Sequence, residues 1–138
     1  MFEGCKNLRE IVIPKNVTYL GNRCFYDCTN LEKAVIPDTV VKIGTAAFAR
    51  CHGLNEVTFG KGTERISDDA FLECTRLSSI TLSESLKSIG ERAFYGCSSL
   101  KSLNFGKKLE SLGADHIIVP DYAADVFHGR FLESIINR

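Results

Sequence analysis

Residues 25–47 read FYDCTNLEKAVIPDTVVKIGTAA, and residues 48–70 read FARCHGLNEVTFGKGTERISDDA. Laid over one another, the two segments agree at Phe, Cys, Leu, an alternating apolar pair, an Ile and a small residue before the next Phe. The register extends in both directions, with Phe2, Phe25, Phe48, Phe71 and Phe94 spaced 23 residues apart. Each is followed at fixed distance by Cys5, Cys28, Cys51, Cys74 or Cys97, and then by Leu8, Leu31, Leu54, Leu77 or Leu100. Apolar pairs come next at Ile11/Ile13, Ala34/Ile36, Val57/Phe59, Ile80/Leu82 and Leu103/Phe105. A last set, Val17, Val40, Thr63, Leu86 and Leu109, precedes Leu20, Ile43, Ile66, Ile89 and Leu112, and a Gly or Ser follows each of these. A fixed period of this length marks a repeat architecture, in which each unit buries its apolar side against its neighbours. The expected fold is a solenoid.

The L-x-x-I-x-I segment alternates like a short strand with one face buried, and one such strand per repeat stacks in parallel on the next at about 4.8 Å. Pro14 and Pro37, with Gly60 and Gly106 in the same column, are expected to end each strand, because proline cannot donate to the ladder and glycine weakens it. The remainder of each unit returns along the opposite side as turns, short extended pieces or a turn of 3₁₀ helix, three alternatives the residues leave open.

This unit resembles the Treponema-type, BspA-like leucine-rich repeat, whose consensus carries the same Leu, strand Ile, Pro, Ile-Gly, Ala-Phe and Cys landmarks. The resemblance covers roughly residues 2 to 113. Departures fall at Cys24, where Ala is usual, at Ala34 in a strand core position, and at Gly60-Lys61-Gly62-Thr63, which replaces the Pro-x-x-Val turn and is expected to weaken it locally. The resemblance implies a leucine-rich-repeat-like solenoid with parallel strands on its concave side and an irregular, short 3₁₀ or extended convex side. It further implies cell-surface display, adhesion and protein–protein contact.

The 138-residue chain supports one domain, divided into five 23-residue repeats over 2–116 and a cap over 117–138. In the cap, Ile117-Ile118-Val119-Pro120 reads as a last strand. A capping helix follows, with Asp121 as N-cap and Tyr122, Val126, Phe127, Phe131 and Ile135 on its apolar face. No corresponding cap precedes Phe2. The N-terminal edge is therefore expected to continue into a longer array, or to be covered by a second copy in a homodimer.

The 17 basic and 17 acidic residues balance, which removes the electrostatic footprint expected for nucleic acid or an anionic membrane. No apolar run is long enough to span a bilayer, and residues 1–25 lack the pattern of a secretory signal, so a cytoplasmic location stays open beside the cell surface. Five of the six cysteines share one column, which stacks into a straight row unsuited to tetrahedral metal binding; the row is expected to pack as buried thiols, with a disulfide between neighbouring rungs as the alternative. Cys24 stands outside the column and is expected to be the more reactive thiol. No nucleophile, base and carboxylate recur together, Gly60-Lys61-Gly62-Thr63 lacks the upstream glycine of a phosphate loop, and Asp68-Asp69 lacks further oxygen ligands. The sequence thus points to no enzyme, cofactor or metal.

Recognition is left to the outward strand face. Its columns are Arg9, Glu32, Asn55, Ser78 and Lys101; Glu10, Lys33, Glu56, Ser79 and Ser102; and Val12, Val35, Thr58, Thr81 and Asn104. Opposite charges alternate along several columns, as in Glu10, Lys33 and Glu56 and in Lys15, Asp38, Lys61, Glu84 and Lys107, which favours the correct stacking register. The expected function is a non-enzymatic interaction module for a protein or glycan partner, with a structural spacer or an intracellular scaffold as the alternatives.

Overall fold

The computed structural model describes residues 2–100, 103 and 108–112. In chain order the strands are β1 (Glu10–Val12), β2 (Tyr19–Leu20), β3 (Lys33–Ile36), β4 (Lys42–Ile43), β5 (Glu56–Phe59), β6 (Arg65–Ile66), β7 (Ser79–Thr81), β8 (Ser88–Ile89) and β9 (Ser111–Leu112). They form two parallel sheets, ordered β1-β3-β5-β7 and β2-β4-β6-β8-β9. Each of the first four repeats contributes one strand to each sheet, and the fifth adds β9 to the second. The pairing advances one period per rung, with Ile11 on Ala34 on Val57 on Ile80, and Leu20 on Ile43 on Ile66 on Ile89. The second sheet resolves part of the convex side into extended pieces of two residues.

The core is the set of repeating columns. Leu31, Leu54, Leu77 and Leu100, the Cys column from Cys28 to Cys97, and Phe48, Phe71 and Phe94 are fully buried. The phenylalanines stack from Phe2 to Phe94 with centroids 5.1–5.4 Å apart and rings within 12° of parallel. The strand and helix expected over residues 117–138 lie outside the described residues.

Around each Phe the chain alternates its hydrogen bonds. The amides of Arg23, Phe25 and Asp27 donate up to Thr45, Ala47 and Ala49 of the next rung, while those of Cys24, Tyr26 and Cys28 donate back within their own turn. That alternation requires a left-handed backbone on either side of the ring. Positive φ is found at Arg23, Ala46, Asp69 and Arg92 before the ring, and at Gly4, Asp27, Arg50, Glu73 and Gly96 after it. A side chain in this region is disfavoured, and such residues persist where surrounding structure over-determines them. From Gly4 to Glu73 each of these amides is held by the rung above, as in Arg50 to Leu72 O at 2.7 Å and Glu73 to Tyr95 O at 2.7 Å.

The glycines after β4 and β8 answer to the rung below them. Asn22 Oδ1 accepts from the Thr45 amide at 2.9 Å, and Asp68 Oδ1 accepts from the Glu91 amide at 2.8 Å. A Cβ on Gly44 would meet Asn22 Oδ1 at 2.8 Å, and one on Gly90 would collide with Asp68 N and Oδ1. Where Thr45 takes the place of the Asx residue, the glycine above it is replaced by Ser67. Gly90→Ala is therefore expected to destabilise by about 1 to 3 kcal/mol through overpacking, whereas Ser67→Ala should stay within about 0.5 kcal/mol. Urea denaturation of the two variants checks this, and equal losses would contradict the coupling.

The third turn is tied down by a different device. Buried Thr63 donates its hydroxyl to Val40 O at 2.7 Å, and Asp38 Oδ1 accepts from the Lys61 amide at 2.7 Å. Gly60 and Gly62 admit this contact, since a Cβ on either would collide with Asp38. The Asp38 carboxylate thus binds backbone where charge alternation with Lys61 was expected.

Candidate partner-binding surface

The first sheet presents Arg9, Glu10, Val12, Glu32, Lys33, Val35, Asn55, Thr58, Ser78, Ser79 and Thr81 as exposed side chains, with Glu56 half-buried among them. Strand alternation accounts for this face, because Ala34, Ile36, Val57 and Phe59 take the buried positions between them. Lys101, Ser102 and Asn104 lie outside the described residues. The register brings Glu10, Lys33 and Glu56 into one row and Val12, Val35, Thr58 and Thr81 into another. Lys33 Nζ stands 3.9 Å from Glu56 Oε2, an exposed pair worth less than about 1 kcal/mol. Val12 is 70% and Val35 43% exposed, so two apolar side chains lie side by side next to the charged row.

Charge pairs that column reading missed lie on the turn side. Arg50 pairs with Asp27 at 3.7 Å, Arg92 with Asp69 at 3.1 Å, Lys87 with Glu64 at 3.4 Å and Arg23 with Glu3 at 2.7 Å. The first three join residues one period apart, so aligning every column by charge would have found them. Tyr26 lies beneath the Arg23 guanidinium at 4.0 Å from the ring centre, and Tyr95 is exposed.

The cysteine column is a hydrogen-bonded row. Cys28, Cys51, Cys74 and Cys97 donate their thiols to the carbonyls of Phe2, Phe25, Phe48 and Phe71 at 2.9–3.1 Å. All six cysteines are unpaired thiols. Burial pushes the Cys97 thiol up to about 12 and raises those of Cys51 and Cys74 well above the ordinary value. Cys24, expected to be the more reactive one, is itself buried, and its thiol is pushed up to about 11 by that burial, which leaves little nucleophilic thiolate near neutral pH. Among the described residues no group of His, Cys, Asp or Glu is arranged to hold a metal ion. Asp68 and Asp69 are engaged separately, by the Glu91 amide and by Arg92.

Comparison with known proteins agrees with this geometry. The profile of the BspA type Leucine rich repeat region matches residues 1–117 in six copies. The leucine-rich repeat protein of T. pallidum superposes with a TM-score of 0.76 at 26% identity, over 78% of this chain and 53% of its own. A leucine-rich repeat protein from Eubacterium ventriosum does so with a TM-score of 0.75 at 32% identity, over 82% of this chain and 31% of its own. The pneumococcal vaccine antigen PcpA matches at 25% identity with a TM-score of 0.52, over 75% of this chain and 32% of its own. The chain thus spans about half the length of the first of these proteins and under a third of the other two. No curated protein matches it. With the profile covering most of its length and the stacked Phe, Cys and Leu columns in place, the chain belongs to the BspA-type leucine-rich repeat family.

Proposed function

We propose that the protein is a non-enzymatic interaction module, which captures a protein partner on the outer face of β1-β3-β5-β7 and works at the cell surface. The observation that carries this reading is the exposed Val12–Val35 pair, held in register beside the Glu10–Lys33–Glu56 row. An apolar patch rimmed by charge is the usual anatomy of a protein contact, with desolvation at its centre and selectivity at its edge. The backbone ladder makes the face rigid, so binding forfeits little conformational entropy. PcpA, a vaccine antigen, supports the surface location by likeness. Among the described residues no helix is long and apolar enough to cross a membrane.

The test is binding of the purified chain to a panel of immobilised extracellular-matrix proteins, repeated with two double variants. Val12→Asp/Val35→Asp removes the apolar patch. Lys33→Gln/Glu56→Gln neutralises the charged row without opposing like charges across β1 and β3, so the fold is retained. Each is expected to weaken capture by roughly tenfold or more, the scale of one central interface contact. Full capture by both variants would show that the face is not the site.

A further inference from the structure

Where charged residues of the described rungs fall one period apart, they are opposite in sign, with two exceptions. Lys42 in β4 stands directly opposite Arg65 in β6, and Asp68 in the following turn is succeeded one rung later by Glu91. The two exceptions lie together. Lys42, Arg65, Asp68 and Glu91 line one open cleft of about 440 Å³ on the second sheet, with the hydroxyl residues Thr45 and Ser67 between them. Like charges opposed across a strand pair destabilise the pairing, and among the described residues neither side chain has an ion-pair partner to neutralise it. The side chains of Lys42 and Arg65 make no ion pair or hydrogen bond there, although every other in-register pair with a charge–charge contact is of opposite sign. The column continues past Lys42 to Tyr19, which pairs with it in β2 and is 65% exposed.

We propose that this cleft binds an acidic glycan, a polysaccharide chain bearing carboxylate or sulfate groups, laid along the solenoid axis. The acidic groups meet Lys42 and Arg65, where the planar guanidinium forms paired hydrogen bonds to a two-oxygen acid. Sugar hydroxyls donate to Asp68, Glu91 and the neighbouring hydroxyl oxygens. Tyr19 offers an exposed aromatic face to a sugar ring, one edge apolar and the other wet. The acidic row favours a glycan over other polyanions. Double-stranded DNA and polyglutamate carry no free hydroxyl donors beside their acidic groups and would be repelled by Asp68 and Glu91, whereas an acidic sugar carries hydroxyls that donate to those carboxylates. The cleft is on the sheet opposite the proposed protein-binding face, so the two readings stand or fall separately.

Surface plasmon resonance of the chain over immobilised heparin and polygalacturonate, beside dextran, poly-L-glutamate and double-stranded DNA, tests this. Salt-sensitive binding to at least one acidic glycan is expected, with weaker binding to the other three surfaces. Lys42→Gln/Arg65→Gln should weaken it by roughly tenfold or more, as for loss of hydrogen bonds to charged groups. Tyr19→Ala should weaken it as well. Lys6→Gln/Lys15→Gln, with the same loss of charge elsewhere, should leave it unchanged. Lys42→Glu restores alternation against Arg65 and should raise the melting temperature while reducing binding, which separates recognition from folding. Absence of binding to both acidic glycans, equal binding to poly-L-glutamate or DNA, or equal loss in the Lys6/Lys15 variant would each overturn the assignment.

Discussion

Phe71→Ala is expected to destabilise the protein by about 3 to 5 kcal/mol, the range for deleting a fully buried aromatic ring. Phe71 is fully buried, stacked on Phe48 at 5.2 Å and on Phe94 at 5.4 Å, with the edge of Phe59 against it at 6.2 Å. Backbone ladders on three sides hold the rungs at fixed separation, so the gap cannot close by collapse. A solenoid couples each rung only to its neighbours, and a central void therefore also uncouples the rungs on either side. The urea transition should move to lower concentration and broaden. Phe2→Ala should be much milder, because Phe2 is 38% exposed and stacks on Phe25 alone. An unchanged midpoint for Phe71→Ala would refute the stacked core.

The second large effect is expected in alkali. In the unfolded chain the thiols release their protons near the ordinary 9.0, whereas in the folded chain Cys97 holds its proton to about 12, and Cys51 and Cys74 are likewise raised well above the ordinary value, because burial penalises the thiolate. Above pH 9 the unfolded state therefore binds fewer protons than the folded state, and stability falls as pH rises. Each thiol contributes a slope of up to about 1.4 kcal/mol per pH unit, so the three together approach about 4 kcal/mol per unit. Below about pH 8 both states keep their thiols protonated and this contribution to the slope vanishes. Melting temperatures should be level in this respect up to that pH and drop steeply towards pH 11. Cys51→Ala/Cys74→Ala should flatten the alkaline slope by up to about 3 kcal/mol per pH unit, the share of these two thiols, which separates it from tyrosine and lysine titration. A wild-type slope matched by the double variant would show that the column does not carry the effect.

Much of this molecule could be read from residue types. Phe48, Cys51, Leu54, Val57 and Ile66 were assigned to the core from their spacing, and all are buried. The outward positions of β3, Lys33 and Val35, were assigned from alternation, and both are exposed. The weaker readings concerned contacts whose form depends on the adjacent rung. Asp38 was placed in a charge ladder with Lys61, yet its carboxylate accepts from the Lys61 amide, because glycines on either side bring that backbone within reach. Cys24 stands outside the cysteine column, which pointed to reactivity, and burial gives it the opposite character. The Lys42–Arg65 opposition was visible in the aligned columns, but its meaning depended on the cleft and on the absence of a neutralising partner among the described residues.

The period, the core columns and the parallel register were determined by the sequence itself, because an apolar side chain recurring every 23 residues can be buried along its whole length only by stacking each copy on the next. The tertiary structure alone decided the course of the convex side. Arg23, Ala46, Asp69 and Glu73 have little in common as residue types, yet all adopt positive φ, since amide bonds to the rung above outweigh local preference. The same dependence on the adjacent rung makes Gly90 obligatory over Asp68, and it orients the cysteine thiols onto the phenylalanine carbonyls. A backbone conformation imposed by a neighbouring rung leaves no single residue type as its signature.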